Sequence, residues 1–180
     1  MSASWSALGA EGQRIAQRQF AEREAADQLL AASDPGTRRP GFADLYAWAT
    51  DPDRAFGHAE REALLRDPVL RRSFALLVAR VASLRVPAAA AASSGRLDTR
   101  SGPGLGVRLV ASRADPMQVY VLLEIQRGVQ ASLLLVLRDG VPAARLALPP
   151  TTDGHLQFIE ASDSPLVAAL RDPSTELVLM

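Results

Sequence analysis

The spacing of apolar residues changes once along the chain, from a helical period in the first half to alternation in the second. The strongest helical signal runs from Asp67 through Arg85, where Leu70, Phe74, Leu77, Val81 and Leu84 recur at intervals of four and three. These positions share one stripe, and Arg71, Arg72, Ala75, Ala79 and Ala82 fall outside it. Asp67 suits an N-cap and Pro68 the first helical position, where a missing N–H costs nothing. Pro87 is the expected stop, and it pushes Val86 towards extended geometry. Upstream, residues 42–49 read as a helix burying Phe42, Leu45 and Trp48, and Asp53 as the cap of a short helix through Phe56, Glu60 and Leu64. Glu11 to Ala32 carries a thinner stripe of Ile15, Ala16, Phe20, Ala26, Leu29 and Leu30, suited to forming on docking.

Beyond residue 105 the period is two. Val107 and Leu109 flank Arg108, Val119 to Ile125 alternate with Gln118 to Glu124, and Leu133, Leu135 and Leu137 oppose Leu134 and Val136. Asp139-Gly140 marks a tight hairpin, because both turn positions need positive φ. Ala114-Asp115-Pro116, Arg127-Gly128 and Asp153-Gly154 are further turn signals. Asp163-Ser164-Pro165 opens a short helix that Asp172-Pro173 ends, and Glu176 to Met180 returns as strand. Between the halves, Pro87 to Gly104 is rich in Ala, Ser, Gly and Pro.

The expected organisation is therefore α+β in separate parts. An N-terminal arm with one amphipathic helix covers 1–41 and a helical module 42–86. A flexible linker follows at 87–105, then an antiparallel β-sandwich of Ig-like size at 106–180.

Composition narrows the function. Twenty basic and twenty acidic residues cancel, which leaves no general field to attract nucleic acid or an anionic membrane. There is no cysteine, so disulfides, thiolate zinc sites and a cysteine nucleophile are excluded. No apolar run approaches the ~20 residues of a bilayer span, and the N-terminus lacks the pattern of a signal peptide. A cytoplasmic location is the expectation.

Candidate chemistry is sparse. His58 and Glu62 lie one turn apart, but two ligands make a poor metal site, and a solvated helix pair accounts for them. His155 follows the Asp153-Gly154 turn, where a polar residue is ordinary. Glu60 with Glu62 and Glu22 with Glu24 point apart on their helices, and Asp163 and Asp172 suit caps and turns. The Gly-rich stretch Ser101 to Gly106 has no strand before it and no helix after it, so it does not match a phosphate loop. No catalytic residue, cofactor or metal is expected.

The opening Ala43-Asp44-Leu45-Tyr46, the run Leu64-Leu65-Arg66-Asp67-Pro68-Val69-Leu70-Arg71-Arg72 and the long helix after it give residues 42–85 a likeness to a known family. They resemble the helical domain of zinc-free anti-sigma factors, which restrain extracytoplasmic-function sigma factors. The resemblance implies helices that wrap a sigma factor and cover its polymerase- and promoter-binding surfaces. The His and Cys-x-x-Cys set of zinc-binding members is absent, as is a membrane helix after the domain. The expectation is a non-enzymatic regulator that binds another protein, a sigma factor or a larger complex subunit. Its expected contact residues are Phe20, Leu70, Arg71, Arg72, Phe74, Leu77 and Val81. The alternative is an adaptor that binds through an edge or face of the β-domain; a small enzyme ranks last.

Overall fold

Every residue from Leu133 to Leu137 is buried, because this strand has apolar neighbours on both of its faces. Leu133, Leu135 and Leu137 share a cluster with Leu70, Phe74, Leu77 and Val78 of the long helix. Leu134 and Val136 instead join a cluster with Val107, Val121 and Leu123 of a second sheet. A strand of alternating contacts thus reads as a continuous apolar run when both faces are covered.

The computed structural model describes residues 39–89 and 95–180; Phe20 and the helix expected over 11–32 lie outside them. Within Pro40–Met180, one compact unit, three helices come first: α1 (Phe42–Thr50), α2 (His58–Arg66) and α3 (Pro68–Val81). Strands β1 (Leu84–Val86), β2 (Thr99–Gly102), β3 (Leu105–Ala111), β4 (Gln118–Ile125), β5 (Leu133–Arg138), β6 (Val141–Ala147) and β7 (His155–Ala161) follow. Helix α4 (Pro165–Arg171) and strand β8 (Glu176–Leu179) complete the unit. The strands form two antiparallel four-stranded sheets, ordered β1-β8-β5-β6 and β2-β3-β4-β7. The fold is mixed α+β.

Local chemistry explains the helix starts. The Asp67 carboxylate accepts from the N–H groups of Val69 (2.9 Å) and Leu70 (3.0 Å), as its N-cap position requires. Gly41 and Gly57 have no side chain to cap with, so Asp44 and Glu60 reach back to their N–H groups at 3.0 and 2.8 Å. Ser164 caps α4 by accepting from Val167 N–H. Asp139 and Gly140 both adopt positive φ between the paired residues Arg138 and Val141, and so close the expected two-residue hairpin.

Besides the Asp53 cap, which gives way to Gly57 before a helix that starts at His58, four expectations change. First, helices and strands do not separate at residues 87–105: α3 and β5 share a core, and β1 pairs with the C-terminal strand β8. Second, the expected linker contains β2, which pairs with β3 around the Pro103-Gly104 turn, Gly104 taking φ +76°. Third, the long helix stops at Val81. Leu84 belongs to β1 opposite Leu179, because the sheet edge offers its backbone a ladder. Fourth, Phe42 is 71% exposed; Leu45, Trp48 and Ala49 form the buried face of α1.

A buried arginine and a half-buried one tie the layers together. Arg100 on β2 is 6% exposed, and its guanidinium donates to Thr175 Oγ1 (2.7 Å), Pro87 O (3.3 Å) and the carbonyl of Thr175. Burial lowers its pKa, which the Asp172 carboxylate partly offsets. Arg145 on β6 lies over the Phe56 ring at 5.9 Å and donates to Arg54 O (2.5 Å) and Asp51 O (2.7 Å). It thereby fixes the α1–α2 connection, where Phe56 also meets Trp48 edge-on at 5.6 Å.

Asp172 follows α4 and pairs with Arg138. Hydrogen bonds from the Ser174 hydroxyl and N–H, aided by Arg138, hold its carboxyl below the usual range. A depressed carboxyl contributes stability above its unfolded value of about 3.9, and loses it as pH falls through the lower folded value. Asp172→Asn should therefore lower stability at neutral pH and flatten its fall on the acid side. Denaturant unfolding between neutral pH and acid checks this; an unchanged acid limb would show the turn contributes nothing there.

Candidate functional site

Helix α3 has two apolar faces with different fates. The expected contact residues Leu70, Phe74 and Leu77 point inward and are buried against β5 and β8, and Val81 packs at the margin of the same cluster. The stripe that the period singles out is thus internal core. Arg72 is exposed and Arg71 half-buried beside the β5–β6 turn, its Cγ close to Gly140. The outward face carries Val69 and Leu76, 65% and 61% exposed and two turns apart. Arg72, Ser73 and Arg80, all exposed, lie on the same side of the helix. Neither Arg72 nor Arg80 has an ion pair among the described residues.

Helix α1 adds a second exposed apolar pair. Phe42 and Tyr46, one turn apart, hold their rings 6.3 Å apart with both side chains exposed. With Leu65 on α2, the helices carry most of the large exposed apolar side chains among the described residues: Phe42, Tyr46, Leu65, Val69 and Leu76, against Val110, Met117 and Ile159 elsewhere. The sequence signal for Val69 and Leu76 was that both are large and apolar yet off the core stripe.

The second sheet also leaves one face open. The β3-β4-β7 register sets Val110, Tyr120 and Ile159 side by side across that face, with Arg108, Leu122 and Gln157 in the adjoining row. The inner face of the same strands, from Val107 to Val121 and Phe158, packs on the core.

Some of the candidate residues take part in local structure, and Glu22 and Glu24 lie outside the described residues. Glu62 pairs with Arg66 at 3.1 Å, and Glu60 caps α2. His155 donates its N–H to Asp153, and that bond with the Thr151 hydroxyl holds the Asp153 carboxyl below its ordinary range. Among the described residues no group of three potential ligands could hold a metal ion. Shallow clefts among the described residues include two of about 440 and 330 Å³. Arg85 pairs with Glu176 in the first, where that bond raises the Arg85 pKa, and Arg138 with Asp172 beside the second, while Asp139 borders both. No helix among the described residues is long and apolar enough to cross a membrane. Comparisons with models of protein families, with curated proteins and with solved structures return no match.

Proposed function

We propose that this chain is a non-enzymatic, cytoplasmic regulatory protein that binds another protein through the outward face of its helices, the two sheets serving as a sandwich that holds those helices. The observation that carries the reading is the exposure of Val69 and Leu76 in one stripe with Arg72 and Arg80. Apolar anchors beside unpaired guanidinium groups suit a partner with an apolar groove rimmed by carboxylates. Phe42 and Tyr46 extend the apolar surface available on the helices. An extracytoplasmic-function sigma factor is the partner that the likeness of residues 42–85 favours. The anchors move from the α3 core stripe to its opposite face, because the core stripe already has an intramolecular partner.

The test is direct binding to purified sigma factors of that class. Val69→Asp combined with Leu76→Asp should weaken binding by roughly tenfold or more, since a charge replaces each buried anchor. Thermal unfolding should hardly move, because exposed substitutions usually stay within about 0.5 kcal/mol. If no sigma factor binds the wild-type chain, that partner is rejected. A second reading, an adaptor docking through the open sheet, rests on the Val110, Tyr120 and Ile159 row. Loss of partner binding with Tyr120→Asp, and not with the α3 variant, would favour it.

A further inference from the structure

Among the described residues, the seven-residue strand β7 forms an edge of its sheet with no strand beyond it. Ile125 N–H donates to Gly154 O at 2.7 Å and Ser162 N–H to Met117 O at 2.8 Å, which fixes the phase of the β4–β7 ladder. Leu156, Phe158 and Glu160 therefore turn their backbone groups towards β4, and His155, Gln157, Ile159 and Ala161 turn theirs away. The ends of this outer row are satisfied: His155 N–H by Asp153, and Ala161 O by Ser164 N–H. The N–H and C=O groups of Gln157 and Ile159 find no partner among the described residues.

The other edges are short or guarded; β6, also seven residues long, carries Pro142 and Arg145. Strand β1 has three residues, and β2 runs beside it, Gly102 lying against Val86. At the bulge in β6, Ala143 O accepts from Arg61 at 3.1 Å. By contrast β7 contains no Pro, Gly, Lys or Arg, the residues that usually guard an edge. It also leaves Leu156 and Phe158 only partly buried, and Ile159 58% exposed.

We infer that β7 pairs antiparallel with β7 of a second copy of this chain, joining two four-stranded sheets into one continuous sheet about a two-fold axis at Phe158. The register is self-complementary. With Phe158 facing its own copy, Gln157 stands opposite Ile159 and the axis generates that pair twice. These are the residues whose backbone groups point outward, so each pair exchanges both of its hydrogen bonds. Phe158 then forms the close, non-hydrogen-bonded pair on the inner face, where both rings extend the existing core. Leu156 lies opposite Glu160, so no like charges meet. Pairing at this edge leaves the outward face of α3 out of the contact, and the inference stands independently of the proposed partner.

Sedimentation velocity on the full chain at micromolar concentration tests it, with a dimer expected. Ile159→Pro removes an outward N–H that the monomer's ladder does not use, so it should raise the dimer dissociation constant by roughly tenfold or more with little change in the folded monomer's circular dichroism. Phe158→Cys, in a chain that otherwise lacks cysteine, should cross-link on mild oxidation. The Cα atoms of such a pair lie ~4.5 Å apart, within disulfide range. A monomeric wild-type chain overturns the inference. So does a dimer that Ile159→Pro leaves intact, since its contact would then lie elsewhere.

Discussion

Phe74→Ala should destabilise the protein by about 3–5 kcal/mol, a large fraction of the ~5–15 kcal/mol that holds a domain folded. Phe74 is fully buried, and its core cluster spans two layers: Leu70 and Val78 on its own helix, and Leu135 and Val178 on the sheet. Truncation removes the ring's own burial and leaves a cavity that a helix held to a sheet along its length cannot easily close. Leu77→Ala should cost about 2–5 kcal/mol by the same mechanism. Leu76→Ala, one residue away but exposed, should change stability by no more than about 0.5 kcal/mol. Denaturant unfolding of the three variants is the measurement. Equal effects at Phe74 and Leu76 would mean that α3 does not dock on the sheet by this face. Because the two positions lie on opposite sides of one helix, the comparison separates the core face from the face proposed to bind a partner.

How much of this was legible in the sequence depends on whether the cause is local. The Asp67 cap, the Asp139-Gly140 hairpin, α4 between Pro165 and Asp172, and the strand after it are set by residues within a few positions of each other, and they sit where the pattern places them. What covers each apolar stripe is non-local. Leu133 to Leu137 alternate as expected, but nothing in the run says that its two faces meet a helical layer and a second sheet. The same gap hid the partner of the α3 stripe, which lies more than fifty residues downstream. At Leu84 two local readings compete: the spacing continues the helix, while pairing with Leu179 makes it strand. Strand β2 was masked by composition, since Thr99-Arg100-Ser101-Gly102 offers no apolar alternation and its inward residue is an arginine. The Pro103-Gly104 turn was its available signal. Periodicity identifies a stripe and not what it packs against, so it did not single out the exposed face that carries Val69 and Leu76.

Cutting the chain between the helices and the β2–β8 strands should produce two pieces that fold only together. Residues 40–86 retain α1, α2, α3 and β1, but lose Leu133, Leu135, Leu137, Val141 and Val178 from their core. Each such side chain contributes about 1.5–3 kcal/mol when fully buried, so losing the set removes an amount comparable to the net stability of a domain. Strand β1 also loses its ladder, since Leu84, Arg85 and Val86 pair only with β8. The complementary piece, residues 95–180, would present the same leucines to water as a contiguous apolar face and should self-associate. A protease site placed between Ala89 and Gly95 makes the test: after cleavage of the folded protein, the two pieces should co-elute and unfold in one cooperative transition. Made separately, residues 40–86 should show no cooperative transition, and mixing the pieces should restore it. Two independent transitions after cleavage would restore the separate domains that the composition at 87–105 suggests. The same experiment bears on the proposed function, because that reading needs the inward face of α3 seated in the core it shares with β5 and β8.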